Sequence, residues 1–124
     1  YGVFANHGVW TEPIYITRIE DKDGKVLETF VPKTIEALSE ETAYTMTYML
    51  RGSNEERGGT SMGLRRHKFM ADIQLGGKTG TTSNYSDAWF MGVTKKLVAG
   101  LWCGAEDNVV HFRSMTYGQG AKQA

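Results

Sequence analysis

Cysteine, net charge and long apolar runs are all scarce in this 124-residue chain. A single cysteine excludes an internal disulfide, and a lone thiol is compatible with any compartment. Fourteen Lys and Arg balance fourteen Asp and Glu, so the net charge is zero. A general nucleic-acid binder carries a basic excess, so no nucleic-acid partner is expected. No stretch approaches the roughly 20 apolar residues of a membrane helix. No charged start followed by an apolar run marks a signal peptide. His7, His67 and His111 are far apart and show no paired metal spacing, so no metal site is expected. Ser114 lies in no G-x-S-x-G elbow. Gly59-Thr60-Ser61-Met62-Gly63 has that spacing but falls in a polar connection after a helix signature, not at the strand-to-helix turn the elbow requires, so neither serine supports a serine hydrolase of that kind.

What is present suits one modest domain or a piece of a larger one: 40% hydrophobic residues allow a core, and 23% charged residues are ordinary for a surface. The chain opens on Tyr1 in mid-pattern. Tyr1, Val3, Phe4 and Ala5 read as the last turn of a helix, closed by Asn6-His7-Gly8. The Gly118-Gln119-Gly120-Ala121 end lacks an obvious terminal element. The expectation is an excised segment, so a missing signal or anchor says nothing about a parent protein.

Pro13 opens an alternating run, Ile14 to Ile19. The turn Asp21-Lys22-Asp23-Gly24 and the run Val26 to Phe30 complete a hairpin signature, ended by Pro32. A helix follows. Ser39 is its N-cap, Glu40 and Glu41 load the first turn, and Leu38 with Ala43 forms a hydrophobic staple. Ala43, Met46 and Leu50 share a face, Met46 and Met49 read as core, and Gly52 reads as the C-cap. Ser53 to Lys68 is a polar connection. Its basic cluster Arg65-Arg66-His67-Lys68 is either a solvated loop or a contact to an anionic partner. Beyond Ile73 the pattern is sheet. Ala88–Val93 and Leu97–Gly104 are two apolar strands joined by Thr94-Lys95-Lys96, and their composition predicts burial on both faces. Cys103 then reads as a small buried hydrophobe. Val109–Phe112 is a further short strand or part of a loop. The expected fold class is α+β: an antiparallel sheet with at least one helix against it.

The segment Gly76-Gly77-Lys78-Thr79-Gly80-Thr81-Thr82 carries the chemistry. The tail Gly77-Lys78-Thr79 fits the phosphate-loop pattern G-x-x-x-x-G-K-S/T, but Asp72 stands where the first glycine belongs. That loop must also run into a helix whose N–H groups hold phosphate, and here Ser83-Asn84-Tyr85-Ser86 are turn formers. The alternative is a β-strand edge. On a regular strand Lys78 and Gly80 point to one side and Thr79 to the other. A twist near the glycines would bring the lysine and the threonine toward one cleft. Gly80 would let a ligand backbone come close, and hydroxyls with an ammonium would receive the carboxylate of an extended peptide.

K-T-G is also an element of penicillin-binding proteins and class A β-lactamases, beside S-x-x-K and S-D-N. Gly77-Lys78-Thr79-Gly80-Thr81-Thr82, a short polar loop, and Asp87-Ala88-Trp89-Phe90-Met91-Gly92-Val93-Thr94 resemble the transpeptidase domain of bifunctional (class A) penicillin-binding proteins. Phe4-Ala5-Asn6-His7-Gly8, Gly59-Thr60 and Gly118-Gln119-Gly120-Ala121 are similar to further segments of that family, in the same order. The resemblance implies that Lys78 lies close to the nucleophile and helps hold charge and proton traffic. It implies that Thr79 and Thr81 offer hydroxyls to a substrate carboxylate, that Gly80 permits close approach, and that the Thr81 backbone N–H is an oxyanion donor. Asp87, Trp89 and Phe90 read as structural. It also implies peptidoglycan stem peptides and β-lactam antibiotics as partners, no cofactor, and a parent anchored in the bacterial inner (cytoplasmic) membrane with this domain on the periplasmic side.

The nucleophile is missing. None of the serines at 39, 53, 61, 83, 86 and 114 has a lysine three residues on, and no S-x-N occurs. Residues 1–124 are therefore expected to be the C-terminal portion of a transpeptidase domain, inactive alone. Exposed sheet edges carry a risk of self-association. The rival reading is a non-enzymatic sheet module that holds peptide or cell-wall fragments.

Overall fold

The computed structural model describes residues 1–70 and 72–118. In chain order it contains α1 (Gly2–Ala5), β1 (Val9–Thr11), β2 (Arg18–Glu20), β3 (Val26–Thr29), β4 (Thr34–Glu36), α2 (Glu40–Glu55), two 3₁₀ turns (Met62–Arg66 and Lys68–Met70), β5 (Gly76–Thr81), β6 (Asp87–Val93), β7 (Val98–Gly104) and α3 (Met115–Gly118). The fold is α+β. One three-stranded antiparallel sheet runs β5-β6-β7, and two two-stranded ribbons pair β1 with β4 and β2 with β3.

The β2–β3 turn follows from Asp21 and Gly24. Asp21 Oδ1 accepts the backbone N–H of Asp23 and of Lys25, each at 2.9 Å, and Gly24 takes φ +83°. The ribbon is shorter than the alternating pattern predicts, because residues 14–17 are not strand. The Phe30 N–H still reaches Thr17 O at 2.9 Å. Beyond it Pro32 has no N–H to give, and Thr34–Glu36 turn away to pair with Val9–Thr11. Tyr15 is left 97% exposed.

Ser39 caps α2 as expected, its Oγ accepting the Thr42 N–H at 3.2 Å. The helix does not stop at Gly52. It continues to Glu55, where the Glu56 N–H closes on Gly52 O. Two features carry it through the glycine. Arg51 Nε meets Glu55 Oε1 at 2.9 Å, and that hydrogen bond raises the Arg51 pKa above its ordinary value. The Ser53 carbonyl also accepts the Ser61 N–H at 3.0 Å, so the connection itself satisfies the helix end. Ala43 is fully buried, with Met46 and Leu50 half-buried on the same side. Met49 is not core; it is 65% exposed, off the face that packs on β5.

β6 and β7 form the expected hairpin, with Val93 opposite Val98. Burial on both faces does not hold. Ala88, Gly92 and Val93 are buried, whereas Trp89, Leu101 and Trp102 are exposed. β7 is an edge strand, and no helix of the described residues packs across its apolar side chains. Cys103 is half-buried and lines a small apolar hollow with Ser86, Val110, His111 and Phe112. Residues 109–112 are loop, tied back by the Phe112 N–H to Tyr85 O at 3.1 Å. The basic cluster 65–68 is exposed on the 3₁₀ turns. Gln119–Ala121, of the segment read as leading to a final helix, lie outside the described residues.

Candidate functional site at the outer edge of β5

β5 pairs with β6 without a bulge: Gly76 with Val93, Lys78 with Met91, Thr79 with Phe90, Gly80 with Trp89 and Thr81 with Ala88. The glycines at its start sit in close contact, tight at Gly76 and too close for any Cβ at Gly77. A Cβ on Gly76 would stand 3.0 Å from Leu50 Cβ on α2, and one on Gly77 would stand 2.7 Å from Phe90 Cζ. Helix, strand and neighbouring strand therefore approach through these two positions.

The ladder also fixes which backbone groups face outward. The Thr82 N–H meets Asp87 O at 3.2 Å, extending the pairing by one hydrogen-bonded pair. Such pairs alternate in an antiparallel ladder, so Gly76, Lys78 and Gly80 turn their N–H and C=O toward β6. Gly77, Thr79 and Thr81 turn theirs to the opposite, outer edge of β5, where no strand pairs among the described residues.

The side chains follow the same alternation. Thr79 and Thr81 share one side, and Lys78 and Gly80 the other. No twist or bulge near the glycines swings Lys78 across. Its flexible stem does so instead: Lys78 Nζ donates to Thr79 O at 2.7 Å, a carbonyl of the outer edge. The ammonium and the threonine backbone thus meet on that edge. The Cβ direction of Gly80 points to Trp89 Cβ, 3.2 Å away, so the partner strand already uses the space.

One further residue joins the group. Thr79 Oγ1 lies 3.2 Å from Thr60 Oγ1 and donates to it. Thr60 sits in the connection after α2, held from both sides. A Cβ on Gly59 would fall 2.2 Å from Ser53 O, so only glycine fits there. Ser61 is buried, its Oγ 2.9 Å from Ser53 Oγ. The Gly59-Thr60 pair stood out in the sequence, but nothing local to it signalled a contact with Thr79.

Beyond Thr81 the chain is tied down by polar side chains. Thr82 Oγ1 accepts the N–H of Ser86 and of Asp87 at 3.1 and 3.0 Å. The buried Ser86 Oγ donates to Asn84 Oδ1 at 2.8 Å. Asp87 accepts the Trp102 indole N–H at 3.0 Å, which gives it the structural place expected of it. Among the described residues no three His, Cys, Asp or Glu side chains gather as a metal site would require.

An antiparallel sheet with a helix on one side and Lys-Thr-Gly on an edge strand defines a class of proteins, and comparison with known proteins names it. The family model described as the penicillin-binding protein transpeptidase domain matches residues 1–101, and the chain belongs to that family. Penicillin-binding protein 1A of Aquifex aeolicus is 38% identical over 104 residues, 84% of this chain and 14% of the relative. The same-named protein of Clostridium novyi is 32% identical over 102 residues, 82% of this chain and 12% of the relative. The chain thus spans about an eighth of the length of these relatives. Among solved structures, penicillin-binding protein 1A from Haemophilus influenzae matches with a TM-score of 0.75 at 27% identity, over 90% of this chain and 22% of that one. The D,D-transpeptidase domain of a peptidoglycan glycosyltransferase from Eggerthella lenta matches with a TM-score of 0.67 at 25% identity, over 81% of this chain and 24% of that one.

Proposed function

We propose that residues 1–124 are the C-terminal portion of a serine-type peptidoglycan D,D-transpeptidase domain, the part that carries the K-T-G strand. The observation that carries this reading is the outer edge of β5, where the Thr79 backbone, the Lys78 ammonium and a side bearing Thr79 and Thr81 come together. A stem peptide enters extended along that edge. Its terminal carboxylate sits among the Thr79 and Thr81 hydroxyls with Lys78 close by.

The nucleophilic serine and its lysine come from outside these 124 residues. The serine Oγ attacks the carbonyl carbon of the peptide bond before the terminal D-Ala. The oxyanion that forms meets the Thr81 backbone N–H as one donor. Collapse breaks the C–N bond, D-Ala leaves with the proton on its amine, and an acyl-serine remains. An amine of a neighbouring stem then attacks the ester, the cross-link forms, and the serine recovers its proton. β-Lactam antibiotics imitate the donor and stop at the acyl-serine. Lys78 stabilises negative charge and conducts protons beside the serine. The chemistry calls for no metal or organic cofactor.

In this reading the parent is a bifunctional, class A protein with a glycosyltransferase elsewhere, anchored in the bacterial inner membrane with this domain on the periplasmic side. No helix among the described residues is long and apolar enough to cross a membrane. The exposed area also favours further protein over this surface. The chain exposes 9440 Å², where a compact monomer of this size exposes about 6,600 Å². Alone, it is expected to self-associate through the edges of its sheet.

One observation favours a second reading for the isolated chain: no serine in it has a lysine three residues on. By itself it would act as a peptide- or cell-wall-binding sheet module. Labelling with a fluorescent penicillin separates the two. The full-length parent is expected to label covalently and the 124-residue chain to stay unlabelled. Stoichiometric covalent labelling of the short chain would overturn the division of the site.

A further inference from the structure

Resting on the carboxylate-binding reading of β5, we infer that Thr60 is a positioning residue for substrate recognition: its hydroxyl holds the Thr79 hydroxyl in place for the carboxylate. Thr79 Oγ1 and Thr60 Oγ1 are 3.2 Å apart, and in the structure Thr79 donates its hydrogen to Thr60. A hydroxyl has one hydrogen and two acceptor lone pairs, and the hydrogen rotates to suit its partners. When a carboxylate arrives, Thr79 must aim its hydrogen at the anion. Thr60 only accepts in the structure; its exposed side chain must rotate for its own hydroxyl to donate to Thr79 Oγ1. The result is a chain from Thr60 to Thr79 to carboxylate, in which each bond polarises the next.

Two features suit Thr60 to this role. It is exposed, so its side chain fills no core that would explain a threonine there. Its backbone is nevertheless fixed. Gly59 presses against Ser53 O, the Ser61 N–H bonds Ser53 O at 3.0 Å, and Ser61 Oγ meets Ser53 Oγ at 2.9 Å. A rigid loop with no packing use for its side chain thus delivers one hydroxyl to the motif threonine. It also couples the end of α2 to the outer edge of β5.

The test uses the full-length parent and two forms of one β-lactam, the free carboxylate and its methyl ester. Wild type should acylate faster with the acid than with the ester. Thr60→Val keeps the shape and removes the hydroxyl. It is expected to cut the acid-over-ester preference about three- to tenfold, the range of one net hydrogen bond. The loss should appear in the concentration for half-maximal acylation, with the ester reaction unchanged. Thr60→Ser should restore the preference, and Thr60→Ala should repeat the valine result. A merely structural defect would slow acid and ester alike and would overturn the inference, as would full acid preference in Thr60→Val and Thr60→Ala. Wild type without acid preference would instead overturn the carboxylate reading itself, so the two failures are distinct.

Discussion

Residues 76–104 and residues 9–36 both form antiparallel β-structure, but they are held by different forces. Gly76, Gly77, Ala88, Gly92 and Val93 are buried in the three-stranded sheet, whose strand β5 packs against α2. The four strands of the ribbons contain no buried residue. The sheet is tightly packed at its start, since an added Cβ on Gly77 would strike Phe90. The ribbons rest on backbone hydrogen bonds and turn chemistry, the kind of two-stranded structure that is marginal in water by itself. The candidate site lies on the tightly packed region, where a hydroxyl or an ammonium can be held to a fixed position.

The largest expected effect is that of Gly59→Ala, in the connection after α2 that braces the sheet's outer edge through Thr60 and Thr79. The new Cβ would meet backbone at 2.2 Å, which no rotamer relieves. The expected cost is about 3 kcal/mol, at the upper end for overpacking. Chemical denaturation of the full-length protein checks it, and β-lactam acylation should fall with it as Thr60 leaves Thr79. Val93→Ala comes next. At 1% exposure it should cost about 2 kcal/mol by the same measurement.

Asp21→Ala tests the other region. It removes the acceptor of two turn N–H bonds. It should cost about 1 kcal/mol, seen as faster amide exchange confined to β2 and β3 with the sheet unchanged. Leu27→Ala, on an exposed ribbon position, should change stability by less than about 0.5 kcal/mol. A cost equal to that of Val93→Ala would erase the distinction between the regions.

The same division explains how much of the fold was legible in the sequence. Features written in neighbouring residues were readable: the Asp21–Gly24 turn, the Ser39 cap and the Val93–Val98 hairpin. Features that depend on distant partners were not. β1 pairs with β4 across 22 intervening residues, numbers 12–33, and nothing local announces it. Gly52 looked like a stop, but the bond between Ser61 and Ser53 carries the helix past it. Met49 and the outer side chains of β7 looked like core because composition does not say which face is covered.

For the candidate site, the sequence singled out Lys78, Thr79, Gly80 and Thr81 as candidates through a motif and its context. It did not reveal that Lys78 reaches the outer edge by bending its side chain while the strand stays regular. Nor did it link Thr60 to Thr79, a contact across 19 residues made by hydroxyls that any polar loop could carry.

The most direct test of the central claim is the acylation rate of the full-length parent by a fluorescent penicillin, measured with Lys78 intact and in Lys78→Ala. If the outer edge of β5 serves the acylated serine, removing its ammonium should slow acylation about a hundredfold, the scale of losing a positioned charge or proton carrier. Acylation at the wild-type rate would contradict it.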